Sequence, residues 1–225
     1  MATVIDKPAT TTASPPKPLL VGPENHGLAM PFEGFIEADF VEGWLYELAR
    51  GIVVVTEVPG IHHGRIVARV TETFVLYDVS HRGIINYRAG GGECSIRLPG
   101  MKSDRHPDQA IYLFPDPKGP GVWTRWAPQI VVEVVSASGG DRDYVEKREE
   151  YLRIGVLEYW ILDPKRRRML VLARMGDVWE ESVLNDEAIH RTDLLPGLEV
   201  RVGEILGPPA DEDAGLDEDG GNGED

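Results

Sequence analysis

The stretch 129–164, QIVVEVVSASGGDRDYVEKREEYLRIGVLEYWILDP, decides the fold. It opens on an aliphatic run from Ile130 to Val135 interrupted only by Glu133, then passes the small-residue turn Ser136, Ala137, Ser138, Gly139, Gly140. A charged segment suited to a helix follows, in which Asp141 or Asp143 can act as cap and Gly155 as stop. The stretch closes on a second apolar run, EYWILD, read as another buried strand. A half-exposed strand alternates apolar and polar residues, so the aliphatic neighbours of Glu133 place it in a buried strand. An ionised carboxylate removed from water costs several kcal/mol unless it is paired, or it takes up a proton instead. Glu133 therefore implies a metal ion, a lysine or arginine partner, or a raised pKa.

Working outward, Asp108 follows Pro107 at the start of the strand candidate DQAIYLF. Upstream, Phe32 to Phe40 suits a short helix, and WLYELARG with IVVVTEV reads as a hairpin turning at Arg50 and Gly51. Ile66, Val70 and Phe74 recur every four residues, which predicts an amphipathic helix from about His62 to Ser80. IINYRAG and ECSIRLP add short strands punctuated by glycine and proline. The segment from Pro115 to Pro128, with Trp123 and Trp126, is a long connection between the two acidic strands. Downstream, MLVLARM and DVWEESVL pair around Gly176 and Asp177, and LPGLEV gives a last short strand. The order of elements predicts a mixed α+β fold, a largely antiparallel sheet with a helix on each side and additional hairpins.

Composition bounds the rest. The TTTASPPKP region predicts a disordered arm over residues 1–31, leaving a single domain over 32–206 and an acidic disordered tail over 207–225. Cys94 is the only cysteine, which leaves no intrachain disulfide or cysteine-built zinc site and fits a reducing cytoplasm. No stretch approaches the roughly 20 apolar residues of a membrane helix. The net charge of −15 at first argues against a nucleic-acid partner. From Gly207 onward, however, eight acids and no base account for much of it and leave −7 for the remainder. Such a body can bind DNA through a local basic patch. The plain reading of the tail is a solvated solubility segment; the sharper one is competition with DNA, relieved in a chain ending near Leu206.

Phosphodiester hydrolysis needs a divalent cation, and Mg²⁺ takes hard oxygen ligands. Pairing of adjacent strands can bring Asp108 and Glu133 to one face, with the Val134 carbonyl as a further ligand. The lysine that many nucleases carry two residues after the glutamate is absent, because that position is Val135. Lys147 is the natural substitute. It stands four residues after Asp143 and four before Tyr151, and the three form one helical stripe.

The segments YELARGIVV, HHGRIVARV, RHPDQAIYLF and the opening stretch together resemble the Uma-two family, a branch of the PD-(D/E)XK nuclease superfamily. The likeness covers roughly Phe32 to Leu206. It implies a restriction-endonuclease-like fold and Mg²⁺- or Mn²⁺-dependent cleavage of DNA, with Asp108 and Glu133 as metal ligands and Lys147 as a migrated lysine. It further implies Glu47 as an additional acid and His63 as a residue lining the site. A homodimer is expected, since two centres are commonly needed to cut both strands. Other readings remain open: Glu133 in a structural ion pair with Lys147 or Arg148, a catalytically inactive interaction module, or a nuclease acting on RNA or branched DNA. The basic run Lys165 to Arg168 is by default a solvated turn, with phosphate contact as the alternative.

Overall fold

The structure, a computed structural model, describes residues 18–115, 117–119, 126–136 and 142–209. In chain order its strands and helices are β1 (Leu20–Val21), α1 (Phe32–Ile36), β2 (Asp39–Phe40), β3 (Trp44–Ala49), β4 (Ile52–Glu57), α2 (Ile61–Ser80), β5 (Ile85–Ala89), β6 (Ile96–Leu98), β7 (Ser103–Arg105), β8 (Gln109–Leu113) and β9 (Ile130–Val134). There follow α3 (Lys147–Ile154), β10 (Glu158–Asp163), β11 (Arg168–Met175), β12 (Val178–Asn185), β13 (Ile189–His190), β14 (Val200–Arg201) and α4 (Val202–Leu206). One turn of π-helix, Arg142–Glu146, leads directly into α3.

A six-stranded sheet in the order β12-β11-β10-β9-β8-β5 forms the body, and a four-stranded sheet in the order β4-β3-β7-β6 stands against it. β9 and β10 run parallel and the other pairs of the large sheet are antiparallel. The parallel step follows from the intervening helix, which carries the chain back before β10 begins. Both faces of the central strands are covered, so β9 alternates between two cores. Val132 and Val134 pack under α2 with Ile66, Val70, Phe74, Trp160 and Leu162. Val131 lies on the opposite face with Tyr151, Tyr159, Ile161 and residues of the small sheet such as Ile96. The two-residue period puts Glu133 on that second face, against α3.

The expected long helix (α2), the hairpins and the mixed α+β class agree with these elements, whereas the helix expected over Phe32 to Phe40 ends at Ile36 before β2, and LPGLEV contributes only Val200 to β14. The β3–β4 turn uses Arg50 and Gly51, both at positive φ (52° and 85°), which suits the twist of a two-residue hairpin. Gly155, at φ 94°, closes α3 with a left-handed cap. Two differences stand out. The chain is already ordered before Phe32: β1 pairs with β2, and Val21 and Met30 are buried with Phe35 and Leu48. The Thr- and Pro-rich residues 1–17, Asp141, Trp123 and the acids after Pro209 lie outside the described residues. The second difference is β7, a strand that no apolar pattern announces. Its three residues Ser103, Asp104 and Arg105 are all polar and all buried, so no apolar alternation marks it as a strand.

Candidate active site

The site forms where β8, β9, β3 and the π-helix–α3 segment meet. Gln109 pairs with Val132, so Asp108 and Glu133 fall opposite one another on neighbouring strands. Asp108 is fixed by its backbone neighbours: Oδ2 accepts the Val134 N–H at 2.7 Å, and His63 Nε2 of α2 stands 3.4 Å away. The same His63 nitrogen donates to the Val134 carbonyl at 3.1 Å. Although burial works against an imidazolium, the Asp108 carboxylate raises the His63 pKa above its ordinary value. Gly90 lets the preceding loop approach this strand, because a Cβ there would lie 2.3 Å from the Asp108 carbonyl oxygen.

Lys147 is the hub. It is buried, and its Nζ lies 3.0 Å from Glu133 Oε1, 3.1 Å from Asp143 Oδ1 and 3.5 Å from Glu47 Oε1. One α-helical turn on, the Tyr151 hydroxyl donates to Glu133 Oε1 at 2.8 Å. The stripe Asp143, Lys147, Tyr151 thus faces Glu133 as its spacing of four predicts. The π-helical turn that carries Asp143 widens the helix at this point, a local irregularity frequent at functional sites. Arg148 turns outward to Glu181, so it is not the partner of Glu133.

The electrostatics of the three carboxylates around Lys147 differ. Burial pushes the Glu133 carboxyl up to about 8, Asp143, Asp108 and Glu47 add to the effect, and Lys147 opposes it. Asp143 is likewise raised, first by burial. Glu47 goes the other way: burial would raise it, but Lys147, Arg105, the His106 N–H and Arg142 together bring it down to about 2. Lys147, despite its burial, is held charged by Glu133, Glu47 and Asp143. Glu47 is also paired with Arg105 and Arg142, which leaves Glu133 and Asp143 to share Lys147 and the centre short of positive charge, with Glu133 as the acid that cannot easily ionise.

A divalent cation fits that shortage. The donors at Asp108, Glu133 and the Val134 carbonyl are all oxygen, the chemistry Mg²⁺ selects. Lys147 and Tyr151 both meet Oε1 of Glu133, and among the described residues Oε2 has no hydrogen-bond partner. No three His, Cys, Asp or Glu side chains among the described residues form a ready-made metal cage. Asp108 and Glu133 would therefore hold an ion that keeps several waters or takes phosphate oxygens, as Mg²⁺ commonly does.

Sequence reasoning missed the arginine beneath this cluster. Arg105 of β7, wholly buried, donates to Glu150 at 2.6 and 3.1 Å and to Glu47 at 3.3 Å. Glu150 also accepts from Ser103 Oγ at 2.9 Å. His106 follows, with Nε2 3.1 Å from Asp104 Oδ2, and its backbone N–H donates to Glu47 at 3.2 Å. The available signal was the density of polar residues in SDRHPD, too polar for a loop-free strand unless each has a fixed partner.

Glu47, His63, Asp108, Glu133, Asp143 and Lys147 all line a single open cleft of about 1780 Å³. That exceeds the roughly 300–1,000 Å³ of small-molecule pockets and suits a polymer. A mixed sheet covered on both faces, with an aspartate, a glutamate and a lysine converging at neighbouring strands, defines the restriction-endonuclease-like class of folds. The chain belongs to the Uma2 (Uma-two) family, described as "Putative restriction endonuclease", with residues 32–203 matched. Among solved structures it is similar to a "putative nuclease belonging to DUF820" from Anabaena variabilis, with a TM-score of 0.58 and 14% identity over 79% of this chain and 97% of that one. No curated protein matches the chain. Among the described residues no helix is long and apolar enough to cross a membrane.

Proposed function

We propose that the protein is a divalent-metal-dependent endonuclease that hydrolyses phosphodiester bonds in DNA. The observation that carries this reading is the convergence of Asp108, Glu133 and Lys147 from three elements onto one cleft, with Glu133 held near a pKa of 8 by burial. Asp108 and Glu133 are the residues that would hold Mg²⁺ or Mn²⁺, with the Val134 carbonyl beside them. The bound ion would neutralise charge on the phosphate and lower the pKa of a coordinated water.

The chain's own residues supply the rest. Lys147 keeps a fixed positive charge beside Glu133, placed to orient a water or to stabilise the developing charge on phosphorus oxygens. Tyr151 holds Glu133 Oε1 by donating to it, which leaves Oε2 turned to other partners. His63 fixes Asp108 and the Val134 carbonyl. Glu47, ionised and anchored by Arg105, balances Lys147 and sets its position.

Purified protein is expected to nick supercoiled plasmid when Mg²⁺ or Mn²⁺ is added, and Asp108→Ala and Glu133→Ala are each expected to abolish nicking. Activity surviving both substitutions would end the proposal. The occupied network around Lys147 favours one competing reading, a non-catalytic interaction module in which the acids form a structural ion-pair cluster. That reading predicts no heat on Mg²⁺ titration and no cleavage of any substrate. Comparing duplex DNA, branched DNA and RNA as substrates separates the choice of nucleic acid from the chemistry itself.

A further inference from the structure

The basic run Lys165-Arg166-Arg167-Arg168 is not a uniform solvated turn. Arg167 adopts a left-handed backbone (φ 50°), a conformation uncommon for a residue with a side chain. It turns its guanidinium away, to Asp186 at 2.8 Å and to the Gly207 carbonyl at 2.6 Å. Its two neighbours converge instead on one aromatic ring. The Arg166 and Arg168 guanidinium carbons lie 5.7 and 5.6 Å from the centroid of Tyr144. Two like charges gather at one ring only when something fixes them. The backbone and side chain of Arg166 are tied to Asp163, both at 2.9 Å, and the Tyr144 hydroxyl donates to the same carboxylate at 2.7 Å.

Asp163 is thereby used up, and the remaining positive charge has no anion. Arg168 Nε is buried and meets no acceptor. Among the described residues no carboxylate stands within ion-pair distance of Arg168 or of the exposed Lys165. In a chain of net charge −15, two cations without a carboxylate, Lys165 and Arg168, set beside the Arg166–Asp163 pair, need a reason. A guanidinium presents its N–H groups in a planar fork that matches two oxygens of a phosphate, and stacking on tyrosine holds that fork in place before the ligand arrives.

The location defines the ligand. Tyr144, Asp163 and Lys165 to Arg168 line the same cleft as Asp108, Glu133 and Lys147. Tyr144 directly follows Asp143 on the π-helical turn, and Asp143 meets Lys147 at 3.1 Å. One residue of that turn thus faces the acidic cluster and the next carries the arginine pair.

Resting on the nuclease reading, we propose that Lys165, Arg166 and Arg168 on the Tyr144 ring bind a non-scissile backbone phosphate of the nucleic acid and so set its register over the acidic centre. Contacts of this kind position the strand without reading its sequence.

The test is fluorescence anisotropy of short labelled DNA and RNA duplexes with the full chain in EDTA, where binding is read without cleavage. Arg166→Gln/Arg168→Gln and, on two exposed side chains, Lys165→Gln/Arg166→Gln are expected to weaken binding about tenfold and to reduce the slope of log affinity against log salt by about 2. Arg191→Gln/Arg201→Gln, which removes the same charge from arginines paired with Glu199 outside the cleft, is expected to leave both quantities unchanged. Equal weakening by the control pair, or no change with either cleft pair, overturns the site. The DNA and RNA arms identify the polymer: the one whose binding responds is the one held. Loss of binding in the cleft variants together with absent plasmid nicking by the native protein would keep the phosphate site and reject the chemistry. Nicking with unchanged binding in the cleft variants would do the reverse.

Discussion

Glu133 carries the strain of the site, and its pH dependence exposes it. Burial lifts its pKa from the ordinary 4.5 to about 8, so between those values the native protein retains a proton that the unfolded chain has released. Stability from this group is complete below pH 4.5 and is lost as pH rises through 8, by up to about 1.4 kcal/mol per pH unit. Glu133→Gln is therefore expected to melt above the native protein in metal-free buffer, by a margin that widens from pH 5 to pH 8. A margin independent of pH, measured by scanning calorimetry, would show that Glu133 is already ionised. Glu47→Gln should do the opposite. Its carboxyl is held down at about 2, so it contributes stability above pH 4.5 that is lost as pH falls toward 2, and the substitution should lower the melting temperature at neutral pH. Much of this was legible at the level of single residues. Glu133 betrayed itself as a charge in an aliphatic run, and Lys147 by its spacing from Asp143 and Tyr151. Arg105 and His106 left no such trace, because their partners Glu150, Glu47 and Asp104 are set by contacts between elements far apart in sequence or by a buried polar strand.

Beneath the Lys147 cluster a fully buried ion pair joins two elements of the site. Arg105 on β7 and Glu150 on α3 are both fully buried and 2.6 Å apart, and they link the small sheet to the helix that carries Lys147. Removing one partner strands the other charge, which typically costs about 3–5 kcal/mol, whereas an apolar pair of similar volume is often neutral. Arg105→Met should accordingly lower the urea midpoint sharply and abolish plasmid nicking. Arg105→Met/Glu150→Leu should restore most of the stability, and failure of the double variant to recover would mean that the charges themselves hold the elements together. The same contrast explains which elements could be read from sequence. Helix α2 buries Ile66, Val70, Phe74 and Tyr77 on one stripe, and that periodicity is visible without any partner. Strand β7 and the pairing of Leu20 and Val21 with β2 depend on what lies beside them. Two-residue strands have no period to detect, and a strand made of Ser, Asp and Arg looks like a loop until its hydrogen-bond partners are known.

At the scale of the whole molecule the question is how an acidic protein holds a polyanion. The cleft gathers the Lys165–Arg168 turn on its lining, while the bulk of the chain is negative. Pro209 also lines that cleft, and the Arg167 bond to the Gly207 carbonyl fixes where the last residues leave the fold. All eight acids of the C-terminal segment follow Pro209 in the sequence, beginning at Asp211, so the chain leaves the described fold beside the cleft just before its densest run of acids. Acids that reach the cleft would compete with phosphate for the same cations, and such competition is screened once the Debye length falls to about 10 Å near 0.1 M salt. A chain ending at Pro209 preserves the Gly207 contact and should bind duplex DNA more tightly than the full chain at low ionic strength, with the advantage shrinking as salt is added. Equal affinities at low salt would mean that the segment serves solubility alone; a gain that persists at high salt would mean that it blocks the cleft by contact rather than by charge.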